Sequence, residues 1–152
     1  MGMIITLDTN IFLNVKNKEE PFYRFSKSIL EAIEDGNKDI EALVSVITIT
    51  ELCVGYYKNN ELIEKDEFIS GLSSNKNYKI LKYDLNIAEK TAEIRSKINL
   101  KLPDCVIIAT ALVEDSNILI TNDSGFDKAK SVITVYNSQD FVEKYLKDKD
   151  KS

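Results

Sequence analysis

Met3-Ile4-Ile5-Thr6-Leu7-Asp8-Thr9-Asn10 opens the chain with a short, branched, apolar run that stops at an acid. A continuous apolar run of this length suits a strand covered on both faces, so Met3 to Leu7 reads as the buried first strand of a parallel sheet. Leu43-Val44-Ser45-Val46, Lys79 to Lys82, Ile118 to Thr121 and Val132 to Val135 repeat the pattern. Helical periods lie between these runs. From about Pro21 to Asp35, Phe22, Phe25, Ile29 and Ile33 recur at spacings of three and four, and Gly36 closes the segment. Thr48-Ile49-Thr50-Glu51 has the form of a capping box opening a helix through about Lys58. Leu62, Ile63, Phe68, Ile69 and Leu72 suggest another helix, and Asp84 caps one striped by Ile87, Thr91, Ile94 and Ile98. Pro103 and Asp104 start a helix whose run Cys105 to Val113 is apolar on nearly every side, which predicts burial. A last helix spans about Ser138 to Leu146. Strands alternating with helices define an α/β fold with a largely parallel sheet.

The chain has 152 residues, enough for one core, and a single domain over residues 1–146 with a charged, frayed tail at 147–152 is expected. Hydrophobic residues make up 43% and charged residues 30%, which excludes wholesale disorder. There is no histidine, so triads built on imidazole are excluded, as is most zinc chemistry. The formal charge of −5 argues against the broad basic face of an ordinary DNA-binding module. It leaves room for a nuclease, because a bound cation reverses the sign of an acidic cleft. Cys53 and Cys105 form no metal or redox motif. The opening residues lack a basic leader and no apolar run approaches a membrane span, so a cytoplasmic protein with no membrane association is expected.

In open α/β sheets, functional groups gather beyond the carboxyl ends of the strands. Asp8 follows the first strand, Glu51 lies one helical turn past the second, Asp104 heads the buried helix, and Asp123 follows the fourth strand. Each acid taken singly has an ordinary structural explanation: an Asx turn at Asp8, the capping box at Glu51, a helix cap at Asp104, a turn acid at Asp123. Their succession after strand ends is what suggests a shared site. Two carboxylates about 4 Å apart repel by roughly 4 kcal/mol at an effective dielectric near 20, so such a cluster needs a cation or bound protons. Oxygen donors alone favour Mg²⁺ or Mn²⁺.

These motifs resemble those of PIN-domain ribonucleases. Ile4 to Asn10 is similar to the family's opening strand and first acid, and Val44 to Leu52 to its second strand and acid-bearing helix. Leu102 to Leu112 resembles the third motif and Ile118 to Phe126 the fourth, in order over essentially the whole chain. The size resembles that of the VapC-like toxins of type II toxin-antitoxin pairs. The resemblance implies a PIN-like three-layer α/β/α sandwich whose five-stranded parallel sheet has the order 3-2-1-4-5. It also implies a Mg²⁺- or Mn²⁺-dependent endoribonuclease that leaves a 5′-phosphate and a 3′-hydroxyl. By family position, Asp8, Glu51, Asp104 and Asp123 would be the catalytic, metal-binding acids, with Asn10 and Thr121 orienting them. Many members carry a further acid where this chain has Gly125, and Asp127, just beyond Phe126, is the candidate to replace it.

A phosphatase of the haloacid dehalogenase type needs Asp-x-Asp, and here the second position is Asn10. A phosphoreceiver domain needs adjacent acids near strand one, and the scattered glycines form no phosphate loop. A housekeeping RNA-processing nuclease and a non-catalytic PIN-like scaffold binding RNA or protein remain alternatives. For RNA contacts, Arg95 could bind phosphate or sit in a surface ion pair, and Lys58 with Tyr56 and Tyr57 could grip a strand or pack a helix end. Cys105 reads as a small buried filler. For a toxin, a small antitoxin with a basic tail is the expected partner, and the family resemblance implies a homodimer.

Overall fold

The computed structural model describes residues 2–147, and the tail beyond Lys147 lies outside them. The elements run β1 (Met3–Leu7), α1 (Thr9–Lys16), α2 (Tyr23–Asp35), β2 (Ile40–Ser45), α3 (Val46–Lys58), α4 (Leu62–Ser74) and β3 (Tyr78–Leu81). Then come α5 (Leu85–Lys97), α6 (Leu102–Val113), β4 (Ile118–Ile120), a 3₁₀ helix (Ser124–Ala129), β5 (Thr134–Tyr136) and α7 (Ser138–Phe141), which runs into a π-type turn over Val142–Leu146. All strand pairs are parallel and the order is β3-β2-β1-β4-β5, as expected. β1 is therefore central, registered Ile5 to Ala42 on one side and Ile5 to Ile118 on the other.

Successive strand residues face opposite sides of a sheet, and this chain buries both. Ile5, Leu7, Ala42, Val44 and Ile120 pack with Ile11 and Phe12 of α1, Ile29 and Ile33 of α2, Leu52 of α3 and Phe141 of α7. Leu119 points the other way, into a second core built from Ile87 and Ile94 of α5, Cys105 to Ala109 of α6, Phe126 and Ile133. Burying nearly the whole run of α6 explains why its sequence lacks a polar face. Asp84 caps α5, its Oδ1 accepting from the Ile87 amide at 2.9 Å.

Several boundaries differ from the sequence reading for physical reasons. Helix α3 begins at Val46, capped by Ser45, whose Oγ accepts from the Ile47 amide at 3.1 Å. Thr48 therefore sits inside the first turn and no capping box forms with Glu51. Helix α6 starts one residue before Pro103, so Asp104 lies in its first turn and does not cap it. β2 reaches back to Ile40, which pairs with Met3. β5 starts late because the amides of Val132 and Ile133 both bond to the Ala129 carbonyl, which holds the chain in a turn until Thr134. A further helix, α1, follows Asp8, where the sequence suggested only an Asx turn.

Candidate functional site

Asp8 ends β1 and caps α1, so one residue both leaves the sheet and fixes the next helix. Its Oδ1 accepts from the Thr9 amide at 2.8 Å and its Oδ2 from the Thr121 hydroxyl at 2.7 Å. Thr121 directly follows β4, the neighbour of β1, and its hydroxyl oxygen in turn accepts from Asn10 Nδ2 at 3.1 Å and from the Asp123 amide at 3.0 Å. Asn10 Oδ1 accepts from the Asn122 amide at 3.2 Å. Asn10 and Thr121 thus bind the start of α1 to the end of β4 and leave the Asp8 carboxylate little freedom.

Glu51 is held by a residue the sequence reading passed over. Thr9 donates its hydroxyl hydrogen to Glu51 Oε1 at 2.6 Å, and its oxygen lies 3.0 Å from the Thr48 hydroxyl. Thr48, freed from capping, is fully buried and joins α3 to α1. Asp104 stands in the first turn of α6, half-buried and without a side-chain hydrogen bond among the described residues. Asp123 caps the 3₁₀ helix, its Oδ1 accepting from the Gly125 amide at 2.8 Å. A Cβ at Gly125 would lie 3.1 Å from that same oxygen, so the glycine gives the capping carboxylate room.

The four acids act on one another electrostatically. Burial pushes the Asp8 carboxyl from 3.8 up to about 7; the bonds from Thr121 and Thr9 oppose the rise, and the charges of Asp104 and Glu51 add to it. Asp104 is raised too, by burial first and then by Asp123 and Glu51, with Lys101 opposing. Asp127 is not among the charges acting on either acid. It pairs with Lys130 at 3.3 Å and lines a polar cavity of about 230 Å³ toward β5 with Asp123 and Asp140.

Among the described residues, no three carboxylates already close on one point as a cage. The donor set nonetheless fits a hydrated divalent cation. Mg²⁺ keeps several waters and commonly takes only one or two carboxylates. Each Asp8 oxygen accepts one hydrogen bond here and has a second lone pair left.

Behind the acids lies a polar latch built on Asn122, in the turn where the sequence singled out only Asp123. Asn122 Nδ2 donates to Asn14 Oδ1 at 2.8 Å and to Ser26 Oγ at 3.3 Å, and its Oδ1 accepts from the amide and hydroxyl of Ser138. One side chain thereby ties α1, α2 and α7 to the end of β4. Asn14 follows Asn10 by four residues and so shares its helix face, which was the only hint available in the sequence. Of the suggested strand-gripping residues, Tyr56 is buried with Lys16 over its ring at 4.8 Å, while Tyr57 is exposed. Cys105 is a buried filler, as expected.

The sequence model of the PIN domain family matches residues 5–132, most of the chain. The chain belongs to the PIN domain family. Among solved structures it is similar to a chain of a toxin-antitoxin complex from Klebsiella pneumoniae, with 27% identity and a TM-score of 0.68, covering 88% of this chain and 97% of that one. A second is a chain of FitAB bound to a DNA fragment, with 25% identity and a TM-score of 0.65, covering 88% and 94%. The fold also matches a Mycobacterium tuberculosis VapC toxin described as cleaving the sarcin-ricin loop, at 11% identity and a TM-score of 0.67, covering 86% and 96%. An uncharacterized protein of Archaeoglobus fulgidus is 36% identical over 63 residues, which is 41% of this chain and 97% of that relative. In this PIN domain no helix of the described residues is long and apolar enough to cross a membrane.

Proposed function

We propose that this PIN domain is a Mg²⁺- or Mn²⁺-dependent endoribonuclease and the toxin of a toxin-antitoxin pair. The observation that carries the catalytic part is the Asp8 carboxyl, raised to about 7 by burial first, with the like charges of Asp104 and Glu51 adding to the rise and, among the described residues, no cationic side chain offsetting them there. A cluster that disfavours its own ionisation is a site prepared for positive charge. Asp8, Glu51, Asp104 and Asp123 would hold the cation, and Asp127, neutralised by Lys130, has a lesser part. When bound, a divalent cation supplies Lewis acidity toward water and the scissile phosphate, chemistry otherwise lacking in a chain without histidine. The chain's own contribution is alignment. Thr121 and Asn10 fix Asp8, and Thr9 fixes Glu51, so the carboxylates need little reorganisation when charge develops on phosphate.

The toxin assignment is supported by the likeness to a chain solved in a toxin-antitoxin complex, at 27% identity. An acidic site suits inhibition by a small antitoxin with a basic tail. A homodimer and a cytoplasmic location accord with the same reading. The test is cleavage of RNA by purified protein with Mg²⁺ or Mn²⁺. Chelator and Asp8→Asn should each abolish it, with the variant still folded by circular dichroism. Cleavage that survives both would end the proposal. Growth arrest on expression, relieved by a coexpressed small partner, tests the toxin part; absence of arrest in a host where the RNA is cleaved favours a housekeeping nuclease.

A further inference from the structure

Six lysines already have acidic partners. Lys16, Lys65, Lys79, Lys90, Lys97 and Lys130 each have a carboxylate within 3.8 Å. Three cations on the Asp104 side of the site have no carboxylate partner among the described residues. Lys101, just before α6, is exposed, and it has no ion pair among the described residues although its charge reaches Asp104. Arg95, in the last turn of α5, is exposed and likewise unpaired among the described residues, so the surface ion pair weighed for it is absent. Its charge reaches Cys105, the neighbour of Asp104. Lys128 comes from a third element, the 3₁₀ helix that follows Asp123. Its Nζ donates to the Asn99 carbonyl at 3.1 Å, in the connection that carries Lys101. That carbonyl is neutral and uses one of three ammonium donors, so the charge is left for another partner.

Three exposed cations from α5, the α5–α6 connection and the 3₁₀ helix are therefore grouped around the α5–α6 connection that leads into the helix of Asp104, Lys128 through its bond to Asn99, in a chain whose acids outnumber its bases by 25 to 20. None of them makes an ion pair with an acid of the site among the described residues. A polyanion that must place one phosphate at the carboxylates while its neighbours stay in a screened, positive surrounding is the ligand that uses both features. Resting on the nuclease reading above, we propose that Arg95, Lys101 and Lys128 form a phosphate-binding rim. The rim seats a single RNA strand on the α5–α6 side of the site and holds phosphates that flank the scissile one.

For single strands the salt dependence of log K has a slope of about −0.7 per phosphate neutralised, so three contacts contribute about −2. The variant Arg95→Gln/Lys101→Gln/Lys128→Gln is compared with Lys38→Gln/Lys76→Gln, which removes exposed charges ahead of β2 and β3, at the opposite end of the sheet. Binding of a labelled single-stranded RNA is followed by anisotropy with Mg²⁺ present and Asp8→Asn in every protein to prevent cutting. The rim variant should bind about 100-fold more weakly at 0.1 M monovalent salt, lose about 2 from the slope and approach the parent near 1 M. The control pair should stay within about twofold of the parent. In cleavage assays with Asp8 restored, the loss should fall on KM. If the rim variant matches the control in affinity and slope, the rim is overturned while the nuclease reading stands. If the parent cuts no RNA, the nuclease reading fails, and the anisotropy series alone decides the rim by the same criterion.

Discussion

With chelator present, ionising Asp8 works against the fold, and replacing that carboxyl should show by how much. Its pKa stands at about 7 in the folded protein against an ordinary 3.8. A rise of about 3 units corresponds to about 4 kcal/mol. The sign follows from proton binding. Between the two values the folded state holds the proton and the unfolded state has released it, so stability present below about pH 4 drains away as the pH rises to about 7. Asp8→Asn removes the ionisation but exchanges an acceptor for an amide facing the Thr121 hydroxyl, at a cost of about 1 kcal/mol. In EDTA, the variant should therefore gain on the parent by about 2–3 kcal/mol between pH 5 and pH 8, and at pH 8 it should be the more stable of the two. Urea unfolding at each pH, followed by circular dichroism, measures the difference directly. Metal at about 1,000 times its Kd should reverse the order at high pH, since it stabilises the parent alone by about 4.1 kcal/mol. A gap between the two proteins that stays flat from pH 5 to 8 would refute the burial argument for Asp8.

Three further outcomes are expected. Thr9→Val keeps the shape but removes the donor to Glu51 Oε1 and the partner of Thr48, so it should cost about 1–3 kcal/mol in urea unfolding and lower kcat more than it raises KM. Asn122→Ala should cost about 2–4 kcal/mol and visibly lower Tm, because partners on Asn14, Ser26 and Ser138 lose their bonds together; a change under 1 kcal/mol would show that water replaces the latch. Ser45→Ala should cost about 1 kcal/mol as the loss of a helix cap, with little effect on cleavage, and a neutral result would return the cap to Thr48.

The sheet was legible because each buried strand is a short branched run, and the motif resemblance supplied the order around β1. The four acids were legible because they stand where strands hand over to helices. What escaped was whatever depends on residues distant in sequence. Thr48-x-x-Glu51 satisfies the capping pattern, yet Ser45, already extended at the end of β2, reaches the Ile47 amide first, and Thr48 turns to Thr9 across 39 positions. Asn122 looked like a turn residue because turns favour Asn, while its partners lie on three helices that only the fold brings near. Arg95 and Lys101 gave no sign of lacking partners, since the absence of an ion pair is a property of three-dimensional neighbours.

The bond from Thr121 to Asp8 joins residues 113 positions apart. On the ribosome, the Asp8 carboxylate is made well before the hydroxyl that orients it. At about 5–20 residues per second the wait is roughly 6–23 s. For a protein proposed to cut RNA, born in contact with the largest RNA assembly in the cell, the placement of β1 beside β4 acts as a timer: the growing chain carries Asp8 without its orienting hydroxyl until β4 has followed.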